Sequence, residues 1–221
     1  MGSRSAARTG VGAVMGSKNL KAIVASGKGG SIQLANPERF FALSLSAQQK
    51  IRNSEFFDNT TRYGTPGLIS IVNPMGRLPT RNFQAGSFEF ADEISGEMLR
   101  DRFYVRDLAC FNCPIACDKE YFVRDGEFAG VRLSSVEYET LSSMGSRVAN
   151  RDLAGVLQAN HLSDEYGLDT ISTGGVIGFA MELYERGLLS RDTTDGLDLS
   201  WGNIDTILSL IHKIAFRHGI G

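Results

Sequence analysis

All three cysteines of this 221-residue chain, Cys110, Cys113 and Cys117, fall within the eight residues CFNCPIAC. An odd number of thiols at such short spacing makes a poor disulfide framework, which needs separated, even-numbered partners in a secreted chain. Thiolates separated by two and three residues can instead converge on one metal centre, as the short cysteine runs of iron–sulfur proteins do. Pro114, directly after the second cysteine, fixes its own backbone angle and stiffens the loop. The plainer reading is a set of small buried apolar side chains, because free cysteine is often simply core. Zinc would need a fourth donor, and His161, His212 and His218 show no paired spacing with the cysteines. A four-iron cluster also takes four ligands in the ordinary case and only three are here. Either the fourth lies outside this chain or one iron is open. Enzymes that use an open iron to generate radicals space their cysteines in the reverse order, three residues and then two, which disfavours that class.

Hydrophobic residues make up 42% of the chain and charged ones 22%, as in a folded soluble protein with one large domain or two modest ones. No stretch approaches the ~18 consecutive apolar residues of a membrane span, and no secretory leader is evident, so a cytoplasmic setting is expected. A formal charge of -2 leaves no large field to recruit nucleic acid or an anionic membrane, and neither is expected as a partner. The 25 glycines exceed the usual ~7% and imply close backbone approaches.

The punctuation of the sequence predicts a mainly α fold. Glycines surround one short apolar run, Leu20 to Ala25, which reads as a single strand in need of a partner. Asn36-Pro37 offers an N-cap and a first-turn proline ahead of Phe40, Phe41, Leu43 and Leu45, and Thr65-Pro66 repeats the device before Leu68, Ile69 and Ile71. Helical spacing runs from Ile94 to Phe103, and residues 73–86 read as an irregular crossing loop. Asp125-Gly126 signals a small hairpin between Glu120–Val123 and Phe128–Leu133. The remainder predicts helices over roughly 135–145, 151–166 after a cap at Asn150, 169–186 and 203–218, with Gly187 as a stop.

Other motifs each carry a plain structural reading. RTGVGAVMGSKNLKAI fails the P-loop order, since Ser17 precedes Lys18, and its glycines precede the strand rather than follow it. A glycine turn with Arg8, Lys18 and Lys21 can still hold an anionic cofactor, or be an ordinary surface loop. In DEYGLD, Gly167 suits a helix end and Asp169 the next N-cap. Glu137 and Glu139 in VEYET begin a helix, where its dipole favours them whatever they touch. The histidines sit in helical patterns and read as structural.

Taken in order, RTGVGAVMGSKNLKAI, LPTRNF, CFNCPIAC, VEYET and DEYGLDTIST resemble the tungsten-containing aldehyde ferredoxin oxidoreductases, from Arg8 to the end of the chain. The resemblance implies a helical domain of that type, with a residual β segment at the N-terminus and a small β-hairpin. It implies two units: residues 1–30 as the C-terminal remnant of a β-rich pterin-binding domain, and residues 31–221 as a partial helical domain carrying the iron–sulfur cysteines. It further implies Cys110, Cys113 and Cys117 as ligands of a [4Fe-4S] cluster, and Arg8, Asp164 and Asp169 at a tungsten (or molybdenum) bis-pterin. Glu139 is the match to a glutamate near the metal, with Glu137 as the nearby alternative.

The parent reaction so implied oxidises an aldehyde to a carboxylic acid, with ferredoxin as electron acceptor and with a homodimer open for the full-length parent. The chain resembles an internal fragment, and the fourth cysteine of the family is expected further along, in a second Asp-x-x-Gly-Leu copy. Little catalysis is therefore expected of this chain alone. Two alternatives stay open: a zinc-binding structural helical module, and an electron-transfer subunit whose cluster a partner completes.

Overall fold

Local capping chemistry places most of the helices of the computed structural model, which describes residues 6–27, 29–30 and 32–221. A 3-10 turn at Arg8–Gly10 leads into α1 (Val11–Ser17), so the glycine-rich motif is largely helical. The run Leu20 to Ala25, expected to be a strand, is not one. It pairs with nothing among the described residues, and Ile23 and Val24 are 77% and 90% exposed. A strand owes its existence to a neighbour's amide groups, and none of the described residues supplies one.

Helix α2 (Pro37–Arg52) starts as the sequence dictates, with the Asn36 side-chain oxygen accepting from the Arg39 amide at 2.9 Å. Its apolar residues Phe40, Phe41, Leu43 and Leu45 are nonetheless exposed rather than packed. Two short helices follow, α3 (Phe57–Tyr63) and α4 (Leu68–Val72), the second entered through a 3-10 turn at Thr65–Gly67. Thr65 does not cap it as expected, because its hydroxyl is engaged elsewhere. The loop over residues 73–86 is irregular apart from a Thr80–Ala85 bridge. Helix α5 (Gly96–Phe103) begins two residues late, where the Ser95 hydroxyl accepts from the Met98 amide at 3.1 Å; Ile94 and Leu99 are buried.

Three antiparallel strands follow in the order β1 (Tyr104–Leu108), β2 (Asp118–Phe122) and β3 (Arg132–Ser134). The β2–β3 hairpin is the one that Asp125-Gly126 announced, in the register Glu120–Ser134, Tyr121–Leu133 and Phe122–Arg132. Strand β1 was not expected. Its pairing puts Leu108 opposite Asp118, so the cysteines occupy the connection between β1 and β2.

The last four helices form a bundle: α6 (Tyr138–Met144), α7 (Leu153–Tyr166), α8 (Thr170–Glu185) and α9 (Ile204–Phe216), with α6 packed on α8 and α7 on α9. Asp152, rather than Asn150, caps α7, through the Ala154 amide at 3.0 Å. Leu141, Met144, Val156, Leu157, Ile177, Met181, Ile207 and Ile211 are buried between the helices. Close approach of α8 to α6 requires Gly174, since a Cβ there would run into the Ser143 carbonyl. The starts of α6 and α8 and the end of α7 thereby meet at one end of the bundle.

Candidate functional site

The turn between α7 and α8 is built as DEYGLD suggested. Gly167, at φ 70°, closes α7 in the left-handed conformation, and Asp169 caps α8 by accepting from the Ser172 amide at 3.0 Å and the Ser172 hydroxyl at 2.5 Å. The same carboxylate, only 12% exposed, meets Arg8 Nη1 at 3.3 Å across 161 residues of sequence. Asp164, on the last turn of α7, accepts from Asn160 Nδ2 at 3.0 Å. The structural reading of this motif is correct, and it does not exhaust what the residues do.

Around them runs a groove of three adjoining hollows. The first, about 370 Å³, lies between Thr65, Leu68, residues 137–140 and residues 169–171. The second, about 200 Å³, shares Glu137, Thr140 and Asp169 and adds Arg8, Asn160 and Asp164. The third, about 370 Å³, continues past Arg8 and Gly10 to Val176 and Ile214. Arg8, Glu139, Asp164 and Asp169, singled out from three motifs, line adjoining hollows, with Glu139 on the first, Arg8 and Asp164 on the second and Asp169 on both.

The two glutamates of VEYET differ in setting. Glu137 is half-buried, lines two of the hollows, and accepts from the Thr65 hydroxyl at 2.5 Å; that hydroxyl in turn accepts from the Tyr138 amide at 2.9 Å. Glu139 is exposed and opens onto the first hollow. Burial pushes the Tyr138 phenol up, and the charge of Glu139 adds to that shift. The histidines stay structural: His161 faces Glu165 at 3.4 Å, and the rings of His212 and His218 lie 4.7 and 6.0 Å from that of Phe216.

The cysteine loop turns on a Cys113 amide to Cys110 carbonyl bond of 3.1 Å, with Asn112 and Ala116 both left-handed at φ 55° and 50°. All three thiols are free, with Cys110 and Cys117 exposed and Cys113 half-buried. Burial pushes the Cys117 thiol up, and the charges of Glu137, Cys113 and Cys110 push the same way. Glu137, which lines the first two hollows, thus also acts electrostatically on the cysteine loop. Among the described residues, no three of the His, Cys, Asp and Glu side chains are gathered to hold a single metal ion. Two contributors escaped the sequence reading: Thr65, taken for a cap, and Lys119, a buried lysine beneath the loop.

Residues 42–221 match the family model for aldehyde ferredoxin oxidoreductase, domains 2 and 3. The chain belongs to the aldehyde ferredoxin oxidoreductase family. Curated members of the family, the tungsten-containing aldehyde ferredoxin oxidoreductases of Pyrococcus horikoshii and Pyrococcus furiosus, are 43% and 40% identical to it over its whole length. The chain spans 36% of each of those proteins. The WOR-like subunit of an aliphatic sulfonate oxidoreductase from Pyrococcus furiosus is 34% identical over 96% of this chain and 34% of its own. Among solved structures, the active-site complex BamBC of benzoyl coenzyme A reductase, bound to 1,5-dienoyl-CoA, superposes with a TM-score of 0.69 at 26% identity, over 96% of this chain and 33% of that one. Those relatives' names span more than one substrate, so membership of the aldehyde ferredoxin oxidoreductase family does not by itself fix the substrate.

Proposed function

We propose that this chain supplies the cluster loop and one wall of the cofactor site of a tungstopterin oxidoreductase. That enzyme oxidises aldehydes to carboxylic acids and passes the electrons through a [4Fe-4S] cluster to ferredoxin. The observation that carries this reading is the groove itself, which gathers Arg8, Asp164 and Asp169 from motifs up to 161 residues apart and sets Glu139 at its edge.

The chemistry of the groove fits a pterin cofactor. Carboxylates accept from ring amino groups and a guanidinium meets an anionic phosphate, so Asp164 and Asp169 would hold the former and Arg8 the latter. Three free thiols on one short loop are the donor type that an iron–sulfur cluster takes, one thiolate to each iron. When bound, a tungsten pterin would supply two-electron redox chemistry at the carbonyl carbon and an iron–sulfur cluster one-electron relay. The balance is aldehyde plus water giving carboxylic acid, two protons and two electrons. Within that balance Glu139 receives a proton from the attacking water as general base. Glu137, already held by Thr65, is the alternative base.

We read residues 1–30 as part of the pterin-binding unit and residues 31–221 as the helical unit; the contact of Arg8 with Asp169 supports a cofactor site shared by both. No helix among the described residues is long and apolar enough to cross a membrane.

The test is anaerobic purification of the full-length enzyme that contains this sequence, with tungsten, molybdenum, iron and zinc assayed and aldehyde-dependent ferredoxin reduction measured. Glu139→Gln is expected to depress turnover with metal content intact. Zinc without iron would replace this reading with the structural module, and unchanged turnover in Glu139→Gln would pass the base role to Glu137.

A further inference from the structure

Lys119 is the second residue of β2, with its side chain 2% exposed. An ammonium in that position is costly to bury unless polar groups surround it, and a strand of this kind is built as well by an apolar residue. Its two partners explain the choice. Nζ donates to the Ala116 carbonyl at 2.5 Å and lies 3.2 Å from Asp107 Oδ1, the residue opposite it in the β1–β2 ladder.

Those partners are unequal. Asp107 is 43% exposed, and Arg100 also approaches the same oxygen at 3.8 Å, so its negative charge is screened by water and shared between two cations. Ala116 lies next to Cys117 and holds the left-handed turn, φ 50°, from which that cysteine projects. Lys119 therefore ties down the last turn of the cysteine loop and leaves incompletely neutralised positive charge directly beneath it.

We propose that Lys119 is a positioning residue for the iron–sulfur loop whose fixed charge raises the reduction potential of the cluster, an inference that rests on the cluster reading of Cys110, Cys113 and Cys117. The reduced cluster carries one more negative charge than the oxidised one, and a nearby cation stabilises it preferentially; net charge and hydrogen bonding are among the levers that set such potentials.

The experiment uses the full-length enzyme that contains this sequence, purified anaerobically, and follows the cluster by visible absorbance, iron content and redox titration. Lys119→Gln removes the charge while keeping an N–H donor, one atom closer to the backbone. Its reduction equilibrium is expected to fall about tenfold, roughly 59 mV for one electron, at unchanged iron content, while Lys119→Arg retains the original potential. A potential in Lys119→Gln equal to that of the unaltered enzyme, with the cluster formed in both, overturns the role of Lys119 and leaves the cluster reading standing. An unaltered enzyme that holds no iron and sulfide overturns both.

Discussion

Thr65 and Glu137, 72 residues apart, share a hydrogen bond of 2.5 Å that joins the entry of α4 to the start of α6. The same hydroxyl accepts from the Tyr138 amide, so one side chain satisfies a carboxylate and a first-turn N–H that no capping side chain serves. Thr65→Val, nearly isosteric, leaves both groups without this partner and should cost about 1–3 kcal/mol. Chemical denaturation checks the size of the loss, and Thr65→Ser should recover most of it. A Val variant as stable as the parent would mean that water replaces the hydroxyl at no cost.

Gly64, immediately before Thr65, joins this link to the cysteine loop. Its φ of 68° and ψ of -157° fall in a region essentially reserved for glycine, and a Cβ there would run into the Cys117 carbonyl. Gly64→Ala should therefore destabilise the fold by about 1–3 kcal/mol for the backbone alone and displace Cys117. Slower iron uptake by the variant, measured beside its unfolding midpoint, would separate the second effect from the first.

What the sequence made readable was chemistry that is complete within a few residues. Asn36 and Asp169 cap their helices as their positions suggested, and Asp125-Gly126 turned the hairpin, because a cap or tight turn needs only its immediate neighbours. Leu20 to Ala25 failed because composition favours a strand whereas existence depends on a partner, and β1 was overlooked for the converse reason: its partner was the strand beyond the cysteines. Thr65 carries the local signature of a cap, yet tertiary contact with Glu137 outcompetes it. Asp164 and Asp169 were assigned to the cofactor by motif resemblance alone and Arg8 by its glycine turn as well, since nothing in their spacing brings residues 161 apart together.

Glu120 sets an acid limb on stability. Side-chain hydrogen bonds from Arg132 and then Arg106, with those charges adding to them, hold its carboxyl down at about 2 against an ordinary carboxylate value near 4.5. A depressed folded value means that the stabilisation is fully present above the unfolded value and disappears as pH falls through the folded one. Urea midpoints of the parent should therefore exceed those of Glu120→Gln above about pH 5, and the gap should narrow continuously as the pH is lowered towards 2. A gap that stays constant with pH would show that packing of β2 against β3, not ionisation, accounts for the difference.

Asp169 performs two tasks that substitution can separate. As N-cap it satisfies the Ser172 amide, and as a charge it faces Arg8, whose side chain is 62% exposed. An ion pair with one member so open to solvent is worth roughly 0–1 kcal/mol, whereas loss of a cap costs about 0.5–2 kcal/mol. Asp169→Asn keeps the cap and should leave stability nearly unchanged; Asp169→Ala loses both and should be clearly less stable by thermal unfolding. If the ion pair exists to hold Arg8 at the groove, Asp169→Asn should still weaken pterin retention in the full-length enzyme, measured as cofactor content after gel filtration. Retention equal to the parent in the Asn variant would leave Asp169 with the cap as its sole task.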